Sequence, residues 1–385
     1  MTPRRFFALS LSLAALGLAT LVVGLFVDPT RAWFAYLDAW IFGATLAAGA
    51  LLLAMTGQAS KAGWMVVLRR PMEAVAGSSP LFALLFVPLA FGLDRVYPWA
   101  AHPIEFAAPA VGHKAVWLSR PFFVARTLFY FAVFGVVAGR LRAWSRENDV
   151  RPSAALVRRM RRLGGGGLPV IGLTLTWASF DWSMSLQPDW SSTMFGFYFF
   201  AGSYVGAIGL ACVMTSVVRV PYPHGTLPTP DHAHALGRLL FAMIIFWAYV
   251  SFGQLLVYWI GDIPDEVSYF ARRTAGSWTA VTYLLVFGHF VVPFFVLLNR
   301  RLKRRNRALA VAGGWIVAMH FVDVYWQVLP VHDVDGARPH WLDLGALFFV
   351  GGVSSAWVAR AYRSAPALPS NVPELAEGLG YEAAL

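Results

Sequence analysis

Five ionisable residues of this 385-residue chain, Arg126, Asp181, His289, His320 and Asp323, stand inside otherwise apolar stretches. A charge in hydrocarbon costs at least about 2.5–3.5 kcal/mol on insertion scales, so each is a candidate for a functional role. Carboxyl and imidazole groups can carry protons once burial and neighbours move their pKa values, which is the chemistry needed beside a quinol undergoing oxidation. His320 and Asp323 are three residues apart and would share one helix face. Tyr249, Ser251, Gln254 and Tyr258 in another apolar run could extend a hydrogen-bonded proton path. His289 and His320 leave open a b-type haem held between two imidazoles. The structural alternative is internal pairing, with Arg126 on an aspartate and a histidine on a backbone carbonyl.

A second group, His224, Asp231, His232 and His234, precedes a later apolar run. An H-x-H pair supplies two metal ligands but defines no third or fourth. The other expectation is that Asp231 caps a helix and the histidines line its mouth, His232 as a proton entry point. The inside stretch from Arg142 to Gly167 is Arg-rich and ends in four glycines; Gly164 to Gly167 could suggest phosphate binding, but no GK[ST] follows, and the stretch is expected to be a flexible basic linker. The one cysteine, Cys212, excludes an internal disulfide, a CxxC pair, a cysteine-ligated iron–sulfur cluster and a c-type haem attachment.

These residues need membrane helices to position them. Hydrophobic residues make up 58% of the chain and charged residues only 13%, too few charges to cover a soluble surface. Windows of about 20 apolar residues, enough to cross ~30 Å of hydrocarbon, place ten spans near 6–27, 33–55, 80–98, 121–141, 168–187, 194–218, 236–260, 277–299, 307–329 and 341–361. The fold class is therefore all-α, an integral membrane protein. Residues 1–365 form the polytopic domain, and 366–385 a polar tail expected to be mobile or to lie on a neighbour. Pro71, Pro80 and Pro88 weaken the third span, which could be partly re-entrant. Arg4-Arg5 precedes an apolar run longer than the 7–15 residues of a signal-peptide core, so an uncleaved first helix is expected.

The formal net charge of +11 is a topology signal. With both termini cytoplasmic, 23 of the 31 basic residues fall in inside segments and 7 in outside ones. The basic residues sit in short blocks between spans, which argues against nucleic-acid binding. The outside stretch from Tyr97 to Arg120, with His102, Glu105, His113 and Lys114, is long enough for a lid or docking loop.

Four stretches carry a resemblance: Ser179-Phe-Asp-Trp-Ser-Met-Ser-Leu186, His232-Ala-His-Ala-Leu-Gly-Arg-Leu-Leu240, Phe246-Trp-Ala-Tyr-Val-Ser-Phe-Gly-Gln254 closed by Ile263-Pro-Asp-Glu266, and His320-Phe-Val-Asp-Val-Tyr-Trp326 followed by Pro330. Residues 165 to 362 resemble the F subunit of bacterial alternative complex III, itself similar to NrfD and polysulfide-reductase membrane subunits. The first four spans match only in pattern. The resemblance implies NrfD-like helix bundles in the bacterial inner membrane, as part of a respiratory quinol:electron-acceptor oxidoreductase. It implies no redox centre in this chain and a possible quinol or quinone site. The partners it implies are an NrfD-like paralogue, an iron–sulfur subunit, multihaem cytochrome c subunits and possibly a terminal oxidase. It places Asp181, His320 and Asp323 within matched motifs, with Arg126, Tyr249, Gln254, His289 and His232 as secondary proton-path candidates. Where the family has an aspartate and a lysine at the start of the seventh span, this chain has Ala235 and Arg238. The departure weakens a cytoplasmic proton entry there. Two alternatives from other classes are a secondary transporter, for which no repeat between halves is found, and a purely structural scaffold.

Overall fold

The computed structural model describes residues 3–102, 115–222 and 225–383. Glu105, His113, Lys114 and His224 lie outside these residues. Among the described residues, ten helices are long and apolar enough to cross a membrane. In chain order, spans 1 to 10 run Arg4–Val27, Pro29–Ala59, Gly63–Phe91, Arg120–Val150, Ala154–Leu186, Phe195–Val217, Pro230–Gly261, Trp278–Leu298, Asn306–Val331 and Trp341–Arg363. A short antiparallel hairpin, Val220–Tyr222 with Gly225–Leu227, joins spans 6 and 7.

Span 2 is the central element. It packs against spans 3, 5, 6, 9 and 10, and 83% of its apolar window is buried, against 22% for span 1 at the periphery. Span 6 lies along span 9, and span 1 along span 10. Lipid offers no hydrophobic drive for helices to associate, so close backbone approach at small residues has to supply the contact. Gly209 and Gly313 do this between spans 6 and 9, where a Cβ on Gly209 would come 2.9 Å from the Gly313 carbonyl oxygen.

Four expectations need correction. The stretch from Arg142 to Gly167 is not a long flexible linker, because spans 4 and 5 continue as helix to Val150 and from Ala154. Arginine is a good helix former, so the hydropathy boundary falls inside the helix and does not end it. Gly164 to Gly167 lie within span 5, and a Cβ on Gly164 would come 2.8 Å from Cβ of Gln58 on span 2. Of the four, Gly164 and Gly167 permit close packing against span 2. The third span is a broken helix with segments Val66–Ala76 and Ser79–Phe91 meeting at Gly77-Ser78.

The third correction concerns the polar tail, which folds back over the basic end of the chain's own bundle. Glu374 pairs with Arg161, the Gly378 carbonyl lies 2.8 Å from His232 Nε2, and Asn371 bonds the Asn148 and Asp149 carbonyls. The fourth is the cap of span 7. Thr229 caps it through the His232 backbone and ring, while Asp231 forms a two-pronged pair with Arg304 at 2.7 and 3.0 Å.

Candidate functional site

The intramembrane ionisable residues fall into separate groups. Spans 4 and 5 bring Arg126 and Asp181 together: Nε and Nη2 of the guanidinium donate to the two carboxylate oxygens at 2.8 and 2.7 Å. The Tyr130 hydroxyl donates to the same carboxylate at 2.7 Å and the Trp117 indole at 3.0 Å. Arg126 also lies 4.0 Å from the centre of the Trp117 ring. Four donors occupy the lone-pair directions of Asp181. The carboxylate therefore has no lone-pair direction left for a further partner. The arrangement suits a lock between helices better than a proton carrier.

The second group gathers on spans 2, 6, 7, 8 and 9. Tyr198 and the indole of Trp247 donate to opposite oxygens of Asp323, the indole at 3.4 Å. One turn away, His320 Nε2 lies 2.9 Å from the Thr45 hydroxyl, which donates its own proton to the Phe42 carbonyl at 2.8 Å. That hydroxyl then accepts from Nε2–H, so the bare nitrogen of His320 is Nδ1, buried and without a partner. Gly202 and Gly206 make room on span 6: a Cβ on Gly206 would come 2.6 Å from the His320 ring, and one on Gly202 3.2 Å from the Asp323 carboxylate.

His289 joins this group through Trp247, whose ring stacks on the imidazole at a 4.0 Å centroid distance and 25°. Both of its nitrogens are buried without a partner. It sits in a π-helical stretch, Leu285–Val291, inside span 8. Such wide turns recur at functional sites because they re-aim a side chain. Thr45 engages Nε2 of His320, and the indole of Trp247 covers one face of the His289 ring.

A third group, which the sequence reading missed, lies toward the acidic end. Asp38 on span 2 is 1% exposed, and neither carboxylate oxygen has a hydrogen-bond partner among the described residues. Around it stand Arg31, paired with Asp343 at 2.6 Å and 3.9 Å from Asp333, and the Tyr325 hydroxyl, also without a partner. Three carboxyls share one guanidinium. Asp38 was legible by the rule that flagged the others, being a lone carboxyl in an apolar run. It stands seven residues from Thr45, two turns or roughly 10 Å along the same face of span 2. A second missed residue, Arg273, donates to the Trp326 and Gln327 carbonyls at 3.0 and 2.7 Å at the end of span 9, where a cation offsets the helix dipole. Burial holds Arg273 down to about 10 and lifts the stacked Tyr269 phenol to about 12, so at neutral pH the first is charged and the second is not.

The remaining candidates sit elsewhere. Gln254 bonds Ser192 at 3.3 Å and Tyr258 the Ser191 carbonyl at 3.0 Å, while Ser251 bonds back to Trp247. Tyr249 is 71% exposed on the outside of the bundle, away from Asp323. His232 has both nitrogens engaged, by Thr229 and the Gly378 carbonyl. No group of three or more acidic, histidine or cysteine side chains suited to a metal ion occurs among the described residues.

No protein-family model and no curated protein matches the chain.

Proposed function

We propose that the chain is the F-type membrane subunit of an alternative complex III quinol:electron-acceptor oxidoreductase in a bacterial inner membrane, where it handles the protons of quinol chemistry. The observation that carries this reading is the Asp323 group. It is a buried carboxyl held by Tyr198 and Trp247, one turn from an imidazole with a free Nδ1 and against the unpartnered His289. Oxidation of a quinol yields a quinone, two electrons and two protons. Iron–sulfur and haem c groups of partner subunits would supply the acceptor for the electrons. Asp323 and Nδ1 of His320 serve as proton acceptors, and Asp38 with the acidic residues around Arg31 continues the route to the acidic, outer face. Arg126–Asp181 acts as a positioning lock for the pocket's neighbouring helices.

The test is co-purification from the native membrane. Retention of iron–sulfur and multihaem cytochrome c subunits with the chain is expected, and a chain that purifies alone and carries out solute transport contradicts the proposal. The broken span 3 and the π-turn of span 8 favour that transporter as the second reading, since interrupted helices line transport sites.

A further inference from the structure

At the basic end of the bundle, span 7, Trp64 at the start of span 3 and the short helix Arg300–Lys303 border an open cleft of about 770 Å³. Its lining includes Arg238, Arg300, Lys303 and His234, with Phe241 on one wall and Tyr381 of the folded-back tail at its edge. Neighbouring cations are already neutralised, Arg304 by Asp231 and Arg161 by Glu374. Arg238, Arg300 and Lys303 have no acidic partner among the described residues.

Packing holds Lys303 in place, while Arg238 and Arg300 are exposed at the mouth of the cleft. Lys303 is 8% exposed, its ammonium lies 5.4 Å from the centre of the Phe241 ring, and its stem fits a notch where a Cβ on Gly237 would come within 2.9 Å. Burial, and then Arg238, push the Lys303 ammonium below its usual range. His234 is 6% exposed, lies in the field of the same three cations and has an unpartnered Nδ1. Three cations without an acidic partner around one cleft attract an anion to it. Past Arg238 the wall turns apolar with Leu239, Phe241 and Ala242, about 12 Å from the start of span 7 and so at the depth where headgroups meet acyl chains.

We infer that the cleft binds the phosphodiester headgroup of an anionic phospholipid, with its acyl chains along Phe241. A free phosphate shares the charge but has no use for the apolar wall. This inference does not depend on the quinol reading, because it concerns the other end of the bundle and is read by lipid binding alone.

The experiment uses the purified full chain in detergent, with phosphatidylglycerol, phosphatidylcholine or inorganic phosphate added separately. Phosphatidylglycerol is expected to raise the melting temperature and to remain bound in native mass spectra, while the other two do neither. Replacing all three cations, Arg238→Gln, Arg300→Gln and Lys303→Gln, is expected to weaken retention roughly 100-fold, at about fivefold per charge near a membrane surface. Should that variant fail to fold, Lys303→Met keeps the buried stem and is expected to lose about fivefold. An equal shift with phosphatidylcholine, the same shift from inorganic phosphate alone, or undiminished phosphatidylglycerol retention in either variant would overturn the inference.

Discussion

The hydroxyl of Thr45 on span 2 lies 2.9 Å from Nε2 of His320 on span 9 and ties the most buried helix of the bundle to the helix that carries Asp323. Because Thr45 gives its proton to the Phe42 carbonyl, this contact fixes the tautomer of His320 and leaves Nδ1 as its proton-accepting atom. Thr45→Val removes the acceptor and leaves a buried N–H unsatisfied, at a cost of about 1–3 kcal/mol. The variant should melt lower than the wild type while keeping its helical content. Unchanged melting would show that His320 does not depend on Thr45.

The Arg126–Asp181 pair should behave as a lock. Removing one partner from a buried pair costs about 3–5 kcal/mol, because the other charge is stranded, whereas replacing both with apolar residues of similar volume is often neutral. Asp181→Asn should therefore destabilise the chain strongly, and Arg126→Met combined with Asp181→Leu should recover much of the loss. Thermal unfolding of the purified variants measures both. A double variant no better than the single one would assign Asp181 a role beyond pairing with Arg126.

Asp38 has no donor for either oxygen and shares its surroundings with Asp333 and Asp343. A buried carboxyl with no donor gains nothing from its surroundings for carrying charge, so Asp38→Asn should preserve or slightly raise stability. The infrared spectrum of the wild type should contain a protonated-carboxyl band that the variant lacks. If the same band persists in Asp38→Asn, Asp38 is not the group that holds the proton.

Packing between spans 6 and 9 rests on the Gly209–Gly313 approach. Gly313→Leu cannot be accommodated without separating the two helices, and with them Tyr198 from Asp323. A loss of about 1–3 kcal/mol or more is expected from overpacking. Wild-type melting in this variant would mean that the helices are further apart than the glycine contact requires.

The ten apolar runs were legible because hydrocarbon thickness fixes the length of a span, and nine of them became helices, while the third, expected at 80–98, is a broken helix over Gly63–Phe91. What hydropathy could not show was where helices end once they leave the bilayer, so Arg142 to Gly167 read as linker although only Arg151 to Ser153 interrupt the helices. Depth alone also put Arg126, Asp181, His320 and Asp323 at similar levels. Assignment to two separate groups required the packing of span 5 on span 4 and of span 9 on span 6, which no local pattern encodes. Tyr198, Thr45 and Trp247 gave no signal, since hydroxyls and indoles are common in spans and these became informative only opposite Asp323 and His320. The fold of the tail over Arg161 and His232 depended likewise on contacts more than a hundred residues apart.

Turnover of the assembled complex carrying Asp323→Asn tests the central claim most directly. Removing a positioned proton acceptor typically costs 10²–10⁴-fold in rate. Quinol oxidation should fall by roughly that factor, while the complex retains its subunits and its haem spectrum. An Asp323→Asn complex that oxidises quinol and releases protons at the wild-type rate would contradict the assignment of proton handling to this group.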